Sequence, residues 1–207
     1  MLHSGWGVRF LDDDNDGLKD VIIAQGHDVD NIQLNFPQLR YREPLMLLQN
    51  TGHGAFVDIS GQAGDVFTQA LVGRGLAVGD LDNDGREDVV ISTNDGPAYV
   101  LRNETASANH WLTLELVGHK SNRDGIGAEV KLVTSRGSQW VTISPAGSYL
   151  SSSDKRAHFG LGTATKAIVQ IHWPSGVEQV LQNVKADQFL KVDEPVSGTP
   201  AKPGSTN

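Results

Sequence analysis

Two nine-residue stretches carry the clearest chemistry in this chain. They are Asp12-Asp13-Asp14-Asn15-Asp16-Gly17-Leu18-Lys19-Asp20 and Asp80-Leu81-Asp82-Asn83-Asp84-Gly85-Arg86-Glu87-Asp88. Both read D-x-D-x-D-G-x-x-D. Carboxylates at places one, three and five of a tight loop (Asp12, Asp14, Asp16; Asp80, Asp82, Asp84) can converge on one hard cation. The glycine at place six permits the sharp turn, the carbonyl of Leu18 or Arg86 at place seven can add a ligand, and Asp20 or Asp88 at place nine can close the shell. Calcium takes roughly six to eight oxygens in flexible geometry, and this arrangement supplies them. The alternative is an acidic turn that binds nothing. Aligned carboxylates in so short a loop repel one another unless a cation neutralises them, and the pattern occurs twice, so two Ca²⁺ sites are expected.

These loops are not EF-hands, which need a Glu at place twelve and flanking helices. Here place twelve is Ile23 or Ile91, within Val21-Ile22-Ile23-Ala24 and Val89-Val90-Ile91-Ser92. Such short β-branched runs read as buried strands. No other reactive constellation stands beside them. The seven histidines (3, 27, 53, 110, 119, 158, 172) show no H-x-H or H-E-x-x-H spacing and read as turn or surface residues. No nucleophile elbow, Walker loop or dinucleotide fingerprint is present. Gly73-Arg74-Gly75 and Gly125-Ile126-Gly127 precede strands, so they read as turn or bulge glycines. No catalytic residue is assigned, and the chain reads as a non-enzyme.

The elements that must position the loops form an internal repeat. Gly5 to Leu11 leads into the first loop and Gly73 to Gly79 into the second, at an offset of 68. Pro44-Leu45-Met46-Leu47-Leu48-Gln49-Asn50 matches Pro97-Ala98-Tyr99-Val100-Leu101-Arg102-Asn103 at an offset of 53, so the first copy carries 15 extra residues. The first copy ends in a turn and a fourth strand, Gly52 to Ile59, that the second lacks. Strand–loop–strand–strand units of this length are propeller-blade material. From about Asn109 the texture changes. Seven short strands are expected at Trp111–Val117, Ala128–Thr134, Gln139–Ser144, Arg156–Phe159, Ala167–Trp173, Val177–Val184 and Gln188–Val192, which suggests a β-sandwich. Trp173-Pro174-Ser175-Gly176 reads as a hairpin turn. The fold class expected is all-β: a partial β-propeller of two blades (1–106), a small β-sandwich (107–195) and a disordered tail (196–207).

Composition sets the outer bounds. The chain has 207 residues, 23 Gly, 38% hydrophobic residues and a net charge of −8. Ten of its 25 acids lie in the two loops, and two calcium ions would halve the net charge. No basic stripe exists to neutralise phosphates, which argues against nucleic acid. Cysteine is absent, so there is no disulfide framework, thiolate nucleophile or Cys-based zinc site. No run approaches the ~18 apolar residues of a membrane span. The opening Met1-Leu2-His3-Ser4-Gly5-Trp6 is no signal peptide and reads as the start of a C-terminal fragment. Calcium loops suit calcium-rich compartments, so the parent protein is expected outside the cell, at its surface or in the periplasm.

At this point the residues resemble a known family. The two D-x-D-x-D-G-x-x-D loops, Gly26-His27 and Tyr41-Arg42-Glu43-Pro44 are joined downstream by Asn109-His110-Trp111-Leu112 and Ser121 to Ala128. Further on come Ser148 to Asp154, His158 to Gly162 and Trp173 to Gly176. Several long motifs in this order are similar to the C-terminal part of FG-GAP/VCBS-repeat proteins that carry an ASPIC/UnbV domain. The resemblance implies calcium-binding propeller blades related to those of integrin α-chains, followed by a small β domain. It implies binding or adhesion, in secreted or surface proteins, with Asp12, Asp14, Asp16, Asp20, Asp80, Asp82, Asp84 and Asp88 as metal ligands. Family propellers have more blades than two, and open blade edges would favour self-association.

Three further features bear on a protein or glycan ligand. The insertion His27 to Arg42 holds Asp28, Asp30, Phe36, Arg40, Tyr41 and Arg42 on a long loop, read as a blade-packing arm or a binding loop. Ser121-Asn122-Arg123-Asp124-Gly125 reads as a tight turn in which Asn and Asp bond their own backbone, or as a recognition loop. Trp111, Trp140, Tyr149 and Trp173 read as core aromatics or sugar platforms, with Trp140 the best placed to face outward. A calcium-ordered interaction module is therefore the leading reading. A carbohydrate-binding module of an exported polysaccharide-processing system is the alternative, and a metal-assisted hydrolase using the Asp cluster comes third.

Overall fold

The computed structural model describes residues 3–196. Apart from Val196, the expected tail lies outside the described residues. Fourteen strands and three short 3-10 turns make up the described elements, so the protein is all-β as expected. Two compact units are formed. The first takes in the residues up to Asp14, Leu18–Ala106 and Ala146–Asp154; the second takes in Asn15–Gly17, Ser107–Pro145 and the residues from Lys155 onward.

In the first unit, β1 (Gly5–Leu11), β2 (Asp20–Gln25), β3 (Met46–Asn50) and β4 (Phe56–Asp58) form an antiparallel sheet in that order. β5 (Gly73–Gly79), β6 (Asp88–Thr93) and β7 (Tyr99–Leu101) form a three-stranded sheet. Leu11 pairs with Asp20 and Gly79 with Asp88. Each acidic stretch is thus the connection between the first two strands of its sheet. Strand side chains alternate between faces, which sends Leu11, Ile22 and Leu47 of one sheet into a shared core with Leu76, Val78, Val89 and Ile91 of the other. Gly7 permits the approach of β1 to β5: a Cβ there would stand 2.5 Å from that of Leu76.

Residues 146–154 complete this unit. The Ser148 hydroxyl accepts the Val8 N–H and the Ser153 hydroxyl accepts the Val78 N–H, both at 3.1 Å. The Asp154 N–H in turn donates to the Val78 carbonyl at 2.9 Å. Tyr149 meets the Trp6 ring edge-on, centroids 5.0 Å apart. The serine-rich segment supplies side-chain acceptors to strand N–H groups on β1 and β5 that would otherwise need other partners.

The insertion is closed at its base, where the His27 N–H donates to the Tyr41 carbonyl at 2.9 Å. A 3-10 turn, Ile32–Leu34, buries Ile32 and leaves Leu34 and Phe36 exposed. Asn94, just after β6, donates to the Tyr41 hydroxyl at 3.1 Å, and Arg74 on β5 donates to the His27 carbonyl at 2.8 Å. The insertion therefore does tie the first sheet to the second, as a packing arm would.

In the second unit, β8 (His110–Val117), β9 (Glu129–Thr134), β10 (Gly137–Thr142), β11 (Ala157–Gly162), β12 (Lys166–His172), β13 (Glu178–Lys185) and β14 (Gln188–Asp193) fall where the seven strands were expected. They form one sheet ordered β10-β9-β12-β13 and another ordered β11-β8-β14, in which β14 runs parallel to β8. Leu112, Leu114, Val130, Leu132, Phe159, Val169, Ile171 and Trp173 make a common core. Trp173 is fully buried, its indole N–H donating to Gln179 Oε1 at 2.9 Å, which satisfies the polar end that burial would otherwise penalise. The Trp173–Gly176 turn closes the β12–β13 hairpin, Gly176 donating to the Trp173 carbonyl at 2.8 Å with φ of +84°.

Candidate metal centres

The two loops are built alike from the backbone outward. Asn15 and Asn83 at place four take φ of 61° and 58°, and Gly17 and Gly85 at place six take 92° and 85°. Left-handed backbone at two alternate places curls the chain so that the intervening carboxylates face inward. Asn tolerates this conformation better than other non-glycine residues. The repeated Asn was therefore a readable signal that attention to the carboxylates alone passes over.

In the first loop Asp12, Asp14 and Asp16 each offer a carboxylate oxygen, all within 4.8 Å of one another; in the second, Asp80, Asp82 and Asp88 do so. Six of the eight expected carboxylate ligands are thus brought together in two groups of three, with Asp20 and Asp84 outside them. Leu18 and Arg86 follow the glycines at place seven. Three converging hard oxygens per loop suit a hard divalent cation such as calcium.

Place nine has a job besides coordination. Asp20 accepts the N–H groups of Asp13 (3.1 Å) and Asn50 (2.8 Å); Asp88 accepts those of Leu81 (2.9 Å) and Asn103 (2.8 Å). Each of these buried carboxylates ties the start of its loop to the end of the third strand. The asparagine side chains differ in reach: Asn50 Nδ2 donates to the Lys19 carbonyl of its own loop at 3.1 Å, and Asn103 Nδ2 donates to the Asp13 carbonyl of the first loop at 2.8 Å. Their offset of 53 in the sequence was the available clue.

Beyond these shared features the loops diverge. In the first, Asp13 is buried with one carboxylate oxygen lacking a hydrogen-bond partner. Burial, then the hydrogen bond and charge of Asp20 and the charges of Asp14 and Asp12, push its carboxyl up to about 8. It lines a cavity of about 620 Å³ with Leu11, Ile22, Phe67, Val89 and Leu101. Glu87 accepts the Asp12 N–H at 3.0 Å and stands 3.5 Å from Lys19. In the second loop Asp80 is held by the N–H groups of Asp84 (3.1 Å) and Gly85 (2.7 Å). Asp84 pairs with the Arg86 guanidinium, and Arg102 reaches both Asp82 (2.7 Å) and Asp84 (3.4 Å). Neither arginine side chain belongs to the acidic pattern, so a search for oxygen ligands does not single it out.

The other candidates resolve mostly as structure. Asn122 bonds Ile126 in both directions, at 2.7 and 2.8 Å, so 121–125 is a self-bonded turn, while Asp124 pairs with Lys155. His158 departs from the reading of every histidine as a turn or surface residue. It lies buried on β11, with Nδ1 2.8 Å from Thr113 Oγ1 and Nε2 2.8 Å from Asn15 Oδ1. Those two polar partners satisfy both ring nitrogens. Trp140 is 65% exposed, with the Lys131 ammonium 4.9 Å from its ring centre.

Two family profiles match the chain. A family profile described as an FG-GAP-like repeat matches residues 12–91, and one described as ASPIC and UnbV matches residues 118–199. Cartilage acidic protein 1 of Homo sapiens is 28% identical over 185 residues, 86% of this chain, and that of Mus musculus is 27% identical over the same length. The Xenopus tropicalis protein of the same name is 27% identical over 167 residues, 77% of this chain. The matched regions cover 28%, 28% and 26% of those proteins, so the chain spans under a third of the length of these curated relatives.

Proposed function

We propose that this chain, which joins an FG-GAP-like repeat to an ASPIC and UnbV domain and is homologous to cartilage acidic protein 1 over most of its length, is a non-enzymatic, calcium-ordered interaction module of an exported protein. Its working division is blades over 1–106 and a β domain over 107–195, with 146–154 packing on the blade strands. The observation that carries the reading is the twice-repeated convergence of three carboxylates within 4.8 Å. Asp12, Asp14 and Asp16 hold one ion and Asp80, Asp82 and Asp88 another, with the carbonyls of Leu18 and Arg86, and Asp20 and Asp84, as further donors. Bound calcium supplies charge neutralisation that fixes each β-hairpin connection, and the chain's own residues supply the preformed curl and the tie to the third strand. Calorimetric titration of the whole chain with calcium tests this. Binding that is lost from the first loop in Asp14→Asn, with the fold intact, is the expected result; no heat of binding in the unaltered chain would remove the reading.

A second reading, glycan binding, has one specific observation in its favour: Trp140 stands outward on β10 beside Lys131. An indole face offers stacking area to a sugar ring, and the ammonium offers a donor. Binding on a glycan array that vanishes in Trp140→Ala is the outcome expected of it, and uniform silence would discard it.

A further inference from the structure

The two loops share a pattern but not a charge environment. Arg102, just beyond β7, lays its guanidinium across the second loop. Its Nε is 2.7 Å from Asp82 Oδ2, and its Nη2 is 3.4 Å from Asp84 Oδ2. Arg86 pairs with the same Asp84 oxygen and is anchored by its Nε to the Asn103 carbonyl at 2.7 Å. At the places equivalent by the offsets of 68 and 53, the first repeat has Leu18 and Gln49, both uncharged.

Resting on the calcium reading above, we propose that Arg102 is a tethered counter-ion of the second loop, so that the two loops bind calcium unequally, the first tightly and the second weakly. A metal ion entering the second loop must take Asp82 from the guanidinium and tolerate a positive charge a few ångströms away; both effects lower affinity. The Arg102 side chain is 56% exposed, so it can swing into water when the ion arrives. Arg86, held at its Nε, cannot leave as easily. With no ion bound, Arg102 neutralises the two carboxylates and keeps the second loop folded. The second sheet is then less dependent on calcium than the first.

The test is calorimetric titration of the whole chain with calcium, comparing the unaltered protein with Arg102→Gln and Arg102→Lys. The unaltered chain should show a tight step and a weak one. Arg102→Gln should strengthen the weak step about tenfold and leave the tight step in place, and Arg102→Lys should fall between. Thermal melts in chelator give a second readout, in which Arg102→Gln melts below the unaltered chain and overtakes it in calcium. Two equal steps in the unaltered chain, or a weak step that moves less than twofold in Arg102→Gln, would overturn the proposal. A tight step with no Arg102 effect removes this inference and leaves the calcium reading standing. An unaltered chain silent toward calcium removes both.

Discussion

Asp20 Oδ1 accepts the backbone N–H of Asn50 at 2.8 Å, and Asp88 Oδ1 accepts that of Asn103 at the same distance. The ninth residue of each loop is therefore a bracket between the loop and the third strand, whatever else it holds. Replacing Asp88 with alanine leaves the Leu81 and Asn103 N–H groups without their acceptor. The expected cost is about 2–4 kcal/mol in chelator, with the lost calcium ligand adding to it in calcium. Asp14→Asn, by contrast, should lower stability only in calcium. Urea unfolding under both conditions separates the two, and an Asp88→Ala protein of normal stability in chelator would refute the bracket.

A second bracket closes the β-sandwich. Glu194, just after β14, accepts the N–H groups of His119 (2.7 Å), Lys120 (2.8 Å) and Ser121 (2.7 Å) on one oxygen, and the hydroxyls of Ser121 (3.0 Å) and Ser175 on the other. Burial alone would raise its carboxyl, but the hydrogen bonds from Ser175, Ser121 and His119 outweigh burial and hold it at about 2, against an ordinary 4.5. Because the folded value is the lower one, this carboxylate contributes stability above pH 4.5 that fades as pH falls toward 2. Glu194→Gln should cost about 2 kcal/mol at neutral pH and flatten the loss of melting temperature below pH 4.5. Parallel melting curves for the two proteins across that interval would contradict this.

Gly7 sits where β1 passes β5, and a methyl group there meets Leu76 Cβ at 2.5 Å and the Arg74 carbonyl oxygen at 2.7 Å. Neither neighbour is the end of a flexible chain, so the sheets must part. Gly7→Ala should destabilise the first unit by about 1–3 kcal/mol. Gly54→Ala, which has no atom within 4 Å but a φ of +73°, controls for backbone strain alone. Denaturant unfolding compares them, and a smaller loss at Gly7 than at Gly54 would show that the close approach is not limiting.

The tryptophans divide by burial. Trp173→Ala removes a fully buried indole and should cost about 3–5 kcal/mol. Trp140→Ala, at 65% exposure, should stay within about 1 kcal/mol and leave secondary structure unchanged. Circular dichroism melts read both effects. A large loss at Trp140 would mean that it packs as a structural residue, which would undercut its use as a glycan platform.

Legibility in the sequence tracked how local each constraint is. The strands of both units were readable because alternation in runs such as Leu112, Leu114 and Leu116 is a direct record of which face is buried. The acid loops were readable because a ligand set within nine residues leaves a spacing. Residues acting across the chain left none: Glu194 completes a turn more than seventy residues away, and Arg102 reaches back over the second loop from beyond β7. Residues 146–154 were placed by sequence within the second domain, yet they pack with the strands of the first unit, through hydroxyls whose serine pattern looks like any polar loop. His158 looked like a surface residue because its partners, Thr113 and Asn15, are distant in sequence.

The most direct measurement is a thermal melt of the whole chain in millimolar calcium against the same protein in chelator. A site held at about 100 times its Kd adds ~2.7 kcal/mol, worth on the order of 5–10 °C in a chain of this size. A rise of at least that size, abolished or sharply reduced by Asp14→Asn, is the result expected if the aspartate loops hold structural calcium. Coincident melting curves with and without calcium would contradict it.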